Sequence, residues 1–265
     1  MIIIIINILI NMTMDKLKVQ IVSDLHIEYK NDEIDIDPLD YITPSCDTLI
    51  LAGDIGSFYK IDQLTNFLTR LCTNFKIVIY VPGNHEYYTV DNMKPVNISN
   101  LTEIMYNIEK NIQNLYILNK SSITIGNICI TGCTLWSALE IKIPKFLVRI
   151  HGINNQIYER KHENELSYIK KMIEHCNKNN LKLVVVTHYC PSYKALGQSY
   201  KRFPSLYVSN LDYLLSVNKV HTWICGHIHK NFNFITEGGT RLVGNQKGKP
   251  KDKINDYKKD FVIEI

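Results

Sequence analysis

The stretch LKVQIVSDLH, residues 17–26, contains the pattern from which the fold class is predicted. A nearly continuous apolar run, Leu17–Val22, is followed directly by Ser23, Asp24 and, two residues later, His26. Strands that are covered on both faces have such runs, whereas half-exposed strands alternate apolar and polar residues. The stretch predicts a buried strand that presents polar side chains just past its carboxyl end.

Four later segments repeat this pattern, and polar residues follow each of them. The predicted strands are Thr48–Ala52, Lys76–Val81, Leu183–Thr187 and Thr222–Cys225. Helical spacing of apolar residues in Ile61–Cys72 and Glu163–Cys176 gives strands that alternate with helices, which is typical of βαβ units. One such unit of roughly 30 residues separates Asp24 from Asp54, and another separates Asp54 from Asn84.

Two further β features are predicted outside these units. A hairpin is expected at Ile123–Ile130, turning on Gly126 and Asn127. The end of the chain has the pattern of a meander, with strands at Phe232–Thr236, Gly239–Val243 and Phe261–Ile265.

The composition is that of an ordinary globular chain. Of 265 residues, 45% are hydrophobic and 21% charged, and the net charge of +4 is weak evidence for an anionic partner. Because no repeat or long linker occurs, residues 17–265 are expected to form one domain. Seven cysteines without a Cys-x-x-Cys pair make a disulfide framework or a thiolate zinc site unexpected, and indicate a cytoplasmic protein.

The segment Met1–Ile10 is almost pure isoleucine and allows three interpretations. Residues 1–16 form an extension upstream of a natural start at Met12 or Met14, or an extra strand, or a weak membrane-surface tag. The first two are preferred. The run is shorter than the roughly 20 residues that span a bilayer, and it lacks the basic region of a signal peptide, so no membrane partner is expected.

The polar residues that follow the five strands form a mixed set of metal-ligand types. Carboxylate, amide and imidazole together suit Mn, Fe, Zn or Ni better than Ca or Mg. Seven ligands are too many for one catalytic ion with an open position, but suffice for two ions if one carboxylate bridges. The candidates are Asp24, His26, Asp54, Asn84, His188, His227 and His229.

The spacing and charge of this set add detail. Asp24 and His26, like His227 and His229, are two residues apart, which in extended backbone points both side chains to one side. The glycines at positions 53, 83 and 226 remove bulk just before a ligand, so that the backbone can bend there. Two divalent ions with two aspartates and a hydroxide retain roughly one positive charge, which favours an anionic ester.

The five blocks, Asp-x-His, Gly-Asp, Gly-Asn-His-Glu, His and Gly-His-x-His, resemble in order the calcineurin-like metallophosphoesterase superfamily. With His85–Tyr88 and Thr134–Ser137, the chain looks most like the small bacterial and phage-type branch. The resemblance implies an α/β fold, a four-layer αββα sandwich of two packed mixed sheets flanked by helices. It also implies two divalent ions, with Mn expected first and Fe, Zn or Ni as alternatives.

The same resemblance implies roles for single residues. One ion would be held by Asp24, His26, Asp54 and His229, and the second by Asp54, Asn84, His188 and His227, with Asp54 as the bridge. His85 would not bind metal. It would face the substrate and protonate the leaving group or stabilise charge in the transition state.

One departure from the pattern of the related families argues against one class of enzyme. Protein Ser/Thr phosphatases have Gly-Asp-x-x-Asp-Arg-Gly at the second block, where this chain has Gly-Asp-Ile-Gly-Ser-Phe, residues 53–58. The phosphate-clamping Arg and the Asp that orients the catalytic His are absent. A phosphoprotein phosphatase is not expected, and no residue is assigned to orient His85.

The expected reaction is hydrolysis of a phosphodiester or phosphomonoester of a small or nucleotide-like substrate, with a metal-bridging hydroxide attacking phosphorus. A nuclease acting on DNA or RNA is the alternative, and a non-catalytic metal-binding scaffold is less favoured. The stretch Trp136–Arg160 is interpreted as a lid in which Arg149, His151 and Asn154 contact substrate. The lysines between residues 247 and 259 are expected to lie on a solvated face.

Overall fold

The computed structural model describes residues 5–10, 16–31, 33–144, 146–197 and 202–265, and for residues 5–10 the backbone alone. Two β-sheets pack face to face and helices cover their outer faces, which is the predicted four-layer α/β sandwich. Within the described residues no helix is long and apolar enough to cross a membrane. All seven cysteines lie in this part of the chain and are free thiols.

The smaller sheet has five strands and the larger sheet has seven. The smaller has the order β12-β2-β3-β4-β5, and the larger β1-β6-β7-β8-β9-β11-β10. The strands are β1 Ile5–Ile10, β2 Lys18–Val22, β3 Thr48–Leu51, β4 Ile77–Tyr80, β5 Leu115–Ile117, β6 Ser121–Ile125, β7 Ile128–Cys133, β8 Lys182–Thr187, β9 Thr222–Ile224, β10 Phe232–Ile235, β11 Arg241–Gly244 and β12 Val262–Glu264. The long helices are α1 Ile61–Cys72, α2 Ile98–Asn111 and α3 Asn155–Lys178.

Burial on both faces explains the continuous apolar runs. In β8, Val184 and Val186 belong to the core between the two sheets. Leu183 and Val185 belong to the core that the larger sheet forms with α3. Since both side-chain directions end in apolar layers, alternation with polar residues is absent. The neighbouring strands β2, β3 and β4 of the smaller sheet are parallel, as are β7, β8 and β9 of the larger one.

Most predicted elements are confirmed within one residue. The helix α1 has the predicted bounds, and β6 and β7 form the predicted antiparallel hairpin. Helix α3 begins at Asn155, well before the predicted start at Glu163. Residues Ile5–Ile10 pair in parallel with β6, which corresponds to the interpretation of this segment as an extra strand.

The predicted terminal meander is wrong in its last strand. Strands β10 and β11 pair antiparallel, but β12 leaves this sheet and pairs antiparallel with β2 of the other one. The edge of β2 would otherwise leave unpaired backbone N–H and C=O groups. Residues 245–261 supply enough chain to cross between the sheets.

We predict that Gly132 sets the distance between the sheets. A Cβ at Gly132 would lie 2.5 Å from Val81 Cγ2 and 3.0 Å from Leu118 Cβ. Gly132→Ala should lower the free energy of unfolding by about 1–3 kcal/mol through overpacking. Combined with Val81→Ala, it should cost at least about 1 kcal/mol less than the sum of the single changes, measured by urea denaturation. Strict additivity would contradict the predicted contact.

Candidate metal centre

The carboxyl ends of five strands meet at one end of the sandwich. Strands β2, β3 and β4 are parallel neighbours in the smaller sheet, and β8 and β9 are parallel neighbours in the larger one. Each is followed directly by one or two of the predicted ligands. The structure therefore brings all seven predicted side chains together, although they come from two sheets.

The first group consists of Asp24, His26, Asp54 and His229. Their ligand atoms all lie within 4.8 Å of one another, as in a site that could hold a metal ion. His229 Nε2 is 3.2 Å from Asp24 Oδ1 and 3.1 Å from His26 Nε2. His26 Nε2 is 3.7 Å from Asp54 Oδ2.

The second group consists of Asp54, His188 and His227, with Asn84 beside them. His188 Nε2 is 3.3 Å from Asp54 Oδ1, 3.1 Å from His227 Nδ1 and 3.0 Å from Asn84 Oδ1. Asp54 thus directs Oδ2 towards the first group and Oδ1 towards the second. This is the arrangement that a carboxylate bridging two ions requires.

Each of the four imidazoles in these groups uses its other ring nitrogen to donate a hydrogen bond away from the centre. The acceptors are carboxylate or carbonyl oxygens, which cannot donate, so the inward nitrogen keeps its lone pair when the ring is neutral. The pairs are His26 Nδ1 to Glu28 Oε1 (2.9 Å), His188 Nδ1 to Ala52 O (3.0 Å), His227 Nε2 to Leu206 O (3.1 Å) and His229 Nδ1 to Asp252 Oδ2 (2.5 Å).

The backbone at the ligands differs from the expected extended form. Five of the seven predicted ligands have left-handed φ values between 51° and 70°, a region that non-glycine residues seldom adopt. The side chains converge because of this conformation, and the expectation of extended backbone at the two-residue spacings is wrong. Such residues cost of order 1–3 kcal/mol each and persist where the surroundings fix them. They are Asp24, His26, Asp54, His227 and His229.

The glycines before the ligands are needed for close approach. A Cβ at Gly226 would lie 2.5 Å from Asp24 Oδ2, and one at Gly83 would overlap Asp54 Oδ1. Neither of these two glycines has a positive φ, so the need is for the absence of a side chain, as predicted, and not for a left-handed backbone. The ligand side chain of a neighbouring strand occupies the space that a methyl group would take.

Glu86, which sequence reasoning left without a role, joins two of the ligand loops. It is fully buried and accepts hydrogen bonds from the backbone N–H groups of Gly83 and Ile55, both at 2.7 Å, and of Asp54 at 3.1 Å. The Tyr80 hydroxyl donates to it at 2.6 Å. Burial and the charge of Asp54 raise the pKa of Glu86 to about 8, although the hydrogen bonds from Tyr80 and Ile55 act to lower it. The feature of the sequence that could have indicated this role is the position of Glu86 at the end of the Gly-Asn-His-Glu block.

Glu28 is the residue that orients His85. Its Oε1 accepts a 2.9 Å hydrogen bond from His85 Nδ1 and another of 2.9 Å from His26 Nδ1. Burial alone would raise the pKa of Glu28, but the two imidazoles lower it to about 2. Sequence reasoning assigned no residue to this role. The feature of the sequence that could have indicated it is the acidic residue Glu28, two positions after the predicted ligand His26.

The electrostatics of the two groups favour bound cations. Burial would raise the pKa of Asp24, but the hydrogen bond and charge of His229 bring it to about 2. The imidazoles around Asp54 hold its pKa well below the usual range in spite of burial. The carboxylates in turn raise the pKa of His188 and of His229 to about 9. Protons on His188 and His229 therefore supply positive charge beside these carboxylates.

A cavity of about 310 Å³ opens onto both groups and onto His85. Its lining includes an apolar set, Leu147, Val148, Leu206 and Tyr207, and two lysines, Lys249 and Lys251. Lys251 is exposed, which fits the expected solvated face, and both lysines also line this cavity.

Of the predicted lid, residues 147 and 148 line this cavity. Arg149 instead lines a smaller cavity of about 180 Å³ beside His85 and Glu28, and it pairs with Asp91 at 3.6 Å. His151 is exposed in a turn and lines neither cavity. Asn154 caps α3 by accepting from the Ile157 N–H at 2.9 Å, and residues 155–160 are helical. The structure does not bring His151 or Asn154 to the metal centre.

Comparisons with known proteins agree with this geometry. The family model described as calcineurin-like phosphoesterase matches residues 17–231. A protein of Acanthamoeba polyphaga mimivirus, "Uncharacterized protein L509", is 28% identical over 88% of this chain and 92% of its own.

Two solved structures share the fold. The phosphopantetheinyl hydrolase of Mycobacterium tuberculosis superposes with a TM-score of 0.69 at 18% identity, covering 94% of this chain and 95% of its own. A dimetal phosphatase of Danio rerio gives a TM-score of 0.51 at 12% identity, covering 86% of each chain.

We predict that metal binding releases protons. With their pKa values raised to about 9, His188 and His229 carry protons at pH 7, and a metal ion must displace them. Titrating metal-free protein with Mn²⁺ should release on the order of two protons per chain at pH 7, and fewer as the pH approaches 9. Calorimetry in buffers of different ionisation enthalpy measures this number. His221→Ala, outside both groups, should not change it, and a buffer-independent heat at pH 7 would contradict the prediction.

Proposed function

This chain belongs to the calcineurin-like phosphoesterase family, and we propose that it hydrolyses a phosphate ester of a small, nucleotide-like molecule with two divalent metal ions. The observation that supports this best is the position of Asp54, whose two oxygens face two separate groups of ligand atoms. Members of the family are dimetal-dependent hydrolases of phosphoric esters.

The donor set fits two such ions. Asp24, His26 and His229 would complete the first site with Asp54 Oδ2. Asn84, His188 and His227 would complete the second with Asp54 Oδ1. Imidazole mixed with carboxylate and amide oxygen suits Mn²⁺, our first choice, as well as Fe, Zn or Ni. When bound, the ions would lower the pKa of the attacking water and neutralise charge on the phosphoryl group.

His85 is the proposed proton donor to the leaving group. It lines the cavity beside both groups, and its Nδ1 is engaged by Glu28. The nitrogen that remains for the substrate is Nε2. The backbone N–H of His85 also donates to Asp54 Oδ1 at 2.8 Å, which fixes the position of His85 relative to the proposed bridge. Glu28 fixes the ring orientation and stabilises the imidazolium.

The first test is hydrolysis of bis-p-nitrophenyl phosphate by protein that has been stripped with chelator and refilled with Mn²⁺. Asp54→Asn should lower kcat/KM by roughly a hundredfold or more and reduce the bound metal below two ions per chain. Asp47→Asn, the same change at an exposed aspartate, serves as control. Activity without metal dependence, or no activity with any of Mn, Ni, Co, Zn and Fe, would refute the proposal.

A second test separates proton donation from metal binding. At saturating metal, His85→Ala should lower kcat by about 10²–10⁴ for esters with alkyl leaving groups, and much less for p-nitrophenyl esters, whose leaving group needs no proton. Glu28→Gln should show the same selectivity with a smaller loss. Glu33→Gln is the exposed control. Equal losses on both kinds of ester would contradict the proposed roles.

A further inference from the structure

We propose that the substrate carries a second phosphate group, which Lys249 and Lys251 bind, and a planar or apolar organic group, which packs on Leu147, Leu206 and Tyr207. The proposal rests on the function proposed above and names the substrate class of the same site. Such a substrate is a small phosphodiester that carries two anionic groups.

The loop that carries the lysines is fixed to the metal centre. Asp252 Oδ2 accepts both from His229 Nδ1 at 2.5 Å and from the Lys249 backbone N–H at 2.8 Å. The Asp252 N–H donates back to the Lys249 carbonyl at 2.9 Å. One carboxylate oxygen therefore orients a ligand of the first group and positions the lysine loop.

The two lysines are available for an anion. Among the residues that the structure describes, no acidic side chain forms an ion pair with Lys249 or Lys251 within 4.0 Å. Asp252, the acidic residue that lines the cavity with them, is hydrogen-bonded to His229 and to a backbone N–H. The scissile phosphate would be neutralised by the metal ions, so the ammonium groups remain for a further anionic group.

The cavity has room for more than one phosphoryl group. Its volume of about 310 Å³ corresponds to roughly ten water molecules and to the lower range of organic ligand sites. The apolar part of its lining would gain nothing from inorganic phosphate. The Tyr207 ring lies 5.3 Å from the His227 ring at an interplanar angle of 31°, so it extends the aromatic surface beside the second group. A nucleoside-like group would cover this apolar part of the lining.

The reaction itself leaves the second phosphate unchanged. The oxygen of water forms a bond to the scissile phosphorus, and the bond from phosphorus to the leaving oxygen breaks. His85 supplies the proton that the leaving oxygen takes up, and the proton that the attacking water loses restores His85 at the end of the turnover. The products are a phosphomonoester and a free hydroxyl group.

A matched pair of substrates tests the proposal on the metal-loaded full chain. Thymidine 5′-(p-nitrophenyl phosphate) and its 3′-phosphorylated analogue differ by one phosphate and release the same p-nitrophenol. In the wild type, the extra phosphate should raise kcat/KM about tenfold or more through charge-assisted hydrogen bonds. In the double variant Lys249→Ala with Lys251→Ala, the ratio of the two kcat/KM values should fall to about one.

A matched variant and a second substitution complete the design. Lys258→Ala with Lys259→Ala removes the same charge outside the cavity and should keep the wild-type ratio. Lys251→Glu, at an exposed position, should lower the ratio below that of the wild type even if the double variant folds poorly.

The outcomes separate the two proposals. If the wild type does not hydrolyse bis-p-nitrophenyl phosphate with any metal, the proposed function fails. If it does, but the ratio is about one in the wild type or survives in the double variant and in Lys251→Glu, the lysine subsite is refuted. A kcat/KM for a single-stranded oligonucleotide above that for the 3′-phosphorylated ester would overturn the assignment to a small substrate.

Discussion

The buried carboxylate of Asp54 is the constraint on which the rest of the site depends. It is 1% exposed, and a carboxylate in such a position is stable only when cationic or hydrogen-bonding groups surround it. Imidazoles that follow strands of both sheets supply these groups. His26 Nε2 is 3.7 Å from Asp54 Oδ2, His188 Nε2 is 3.3 Å from Asp54 Oδ1, and His227 Nδ1 is 3.1 Å from His188 Nε2. Gly83 leaves room for its Oδ1, and Glu86 binds its backbone N–H. The two sheets of the sandwich are thus held together at this end by polar contacts, as well as by their shared apolar core.

Acceptors outside the ligand groups determine how the imidazoles can act. Each ligand histidine donates outward, so its inward nitrogen is fixed by a partner that sequence motifs do not include. Glu28 is the most consequential of these partners, because the same oxygen holds His26 in the first group and His85 beside the cavity. One carboxylate oxygen therefore fixes the ring orientation of both His26 and His85. Asp252 connects His229 with the lysine loop in the same manner.

The strands could be predicted from the sequence, and the seven predicted ligands lie together in the structure, because both depend on short segments. Strands buried on both faces have continuous apolar runs, and the ligands follow those runs directly. Glu28 and Asp252 were not assigned because their roles arise from contacts with His85 and His229, which are distant in sequence. The left-handed backbone at five ligands and the crossing of β12 to the other sheet also result from tertiary packing, which local patterns do not contain.

The central claim is that Asp54 bridges two metal ions, and electron paramagnetic resonance of Mn²⁺-loaded protein tests it most directly. Two Mn²⁺ ions about 3.5–4 Å apart through a shared carboxylate are magnetically coupled. The account predicts two ions per chain with the spectrum of a coupled pair in the wild type, and loss of that coupling in Asp54→Asn. A wild-type spectrum of isolated Mn²⁺ at full loading, or a single ion per chain, would contradict it.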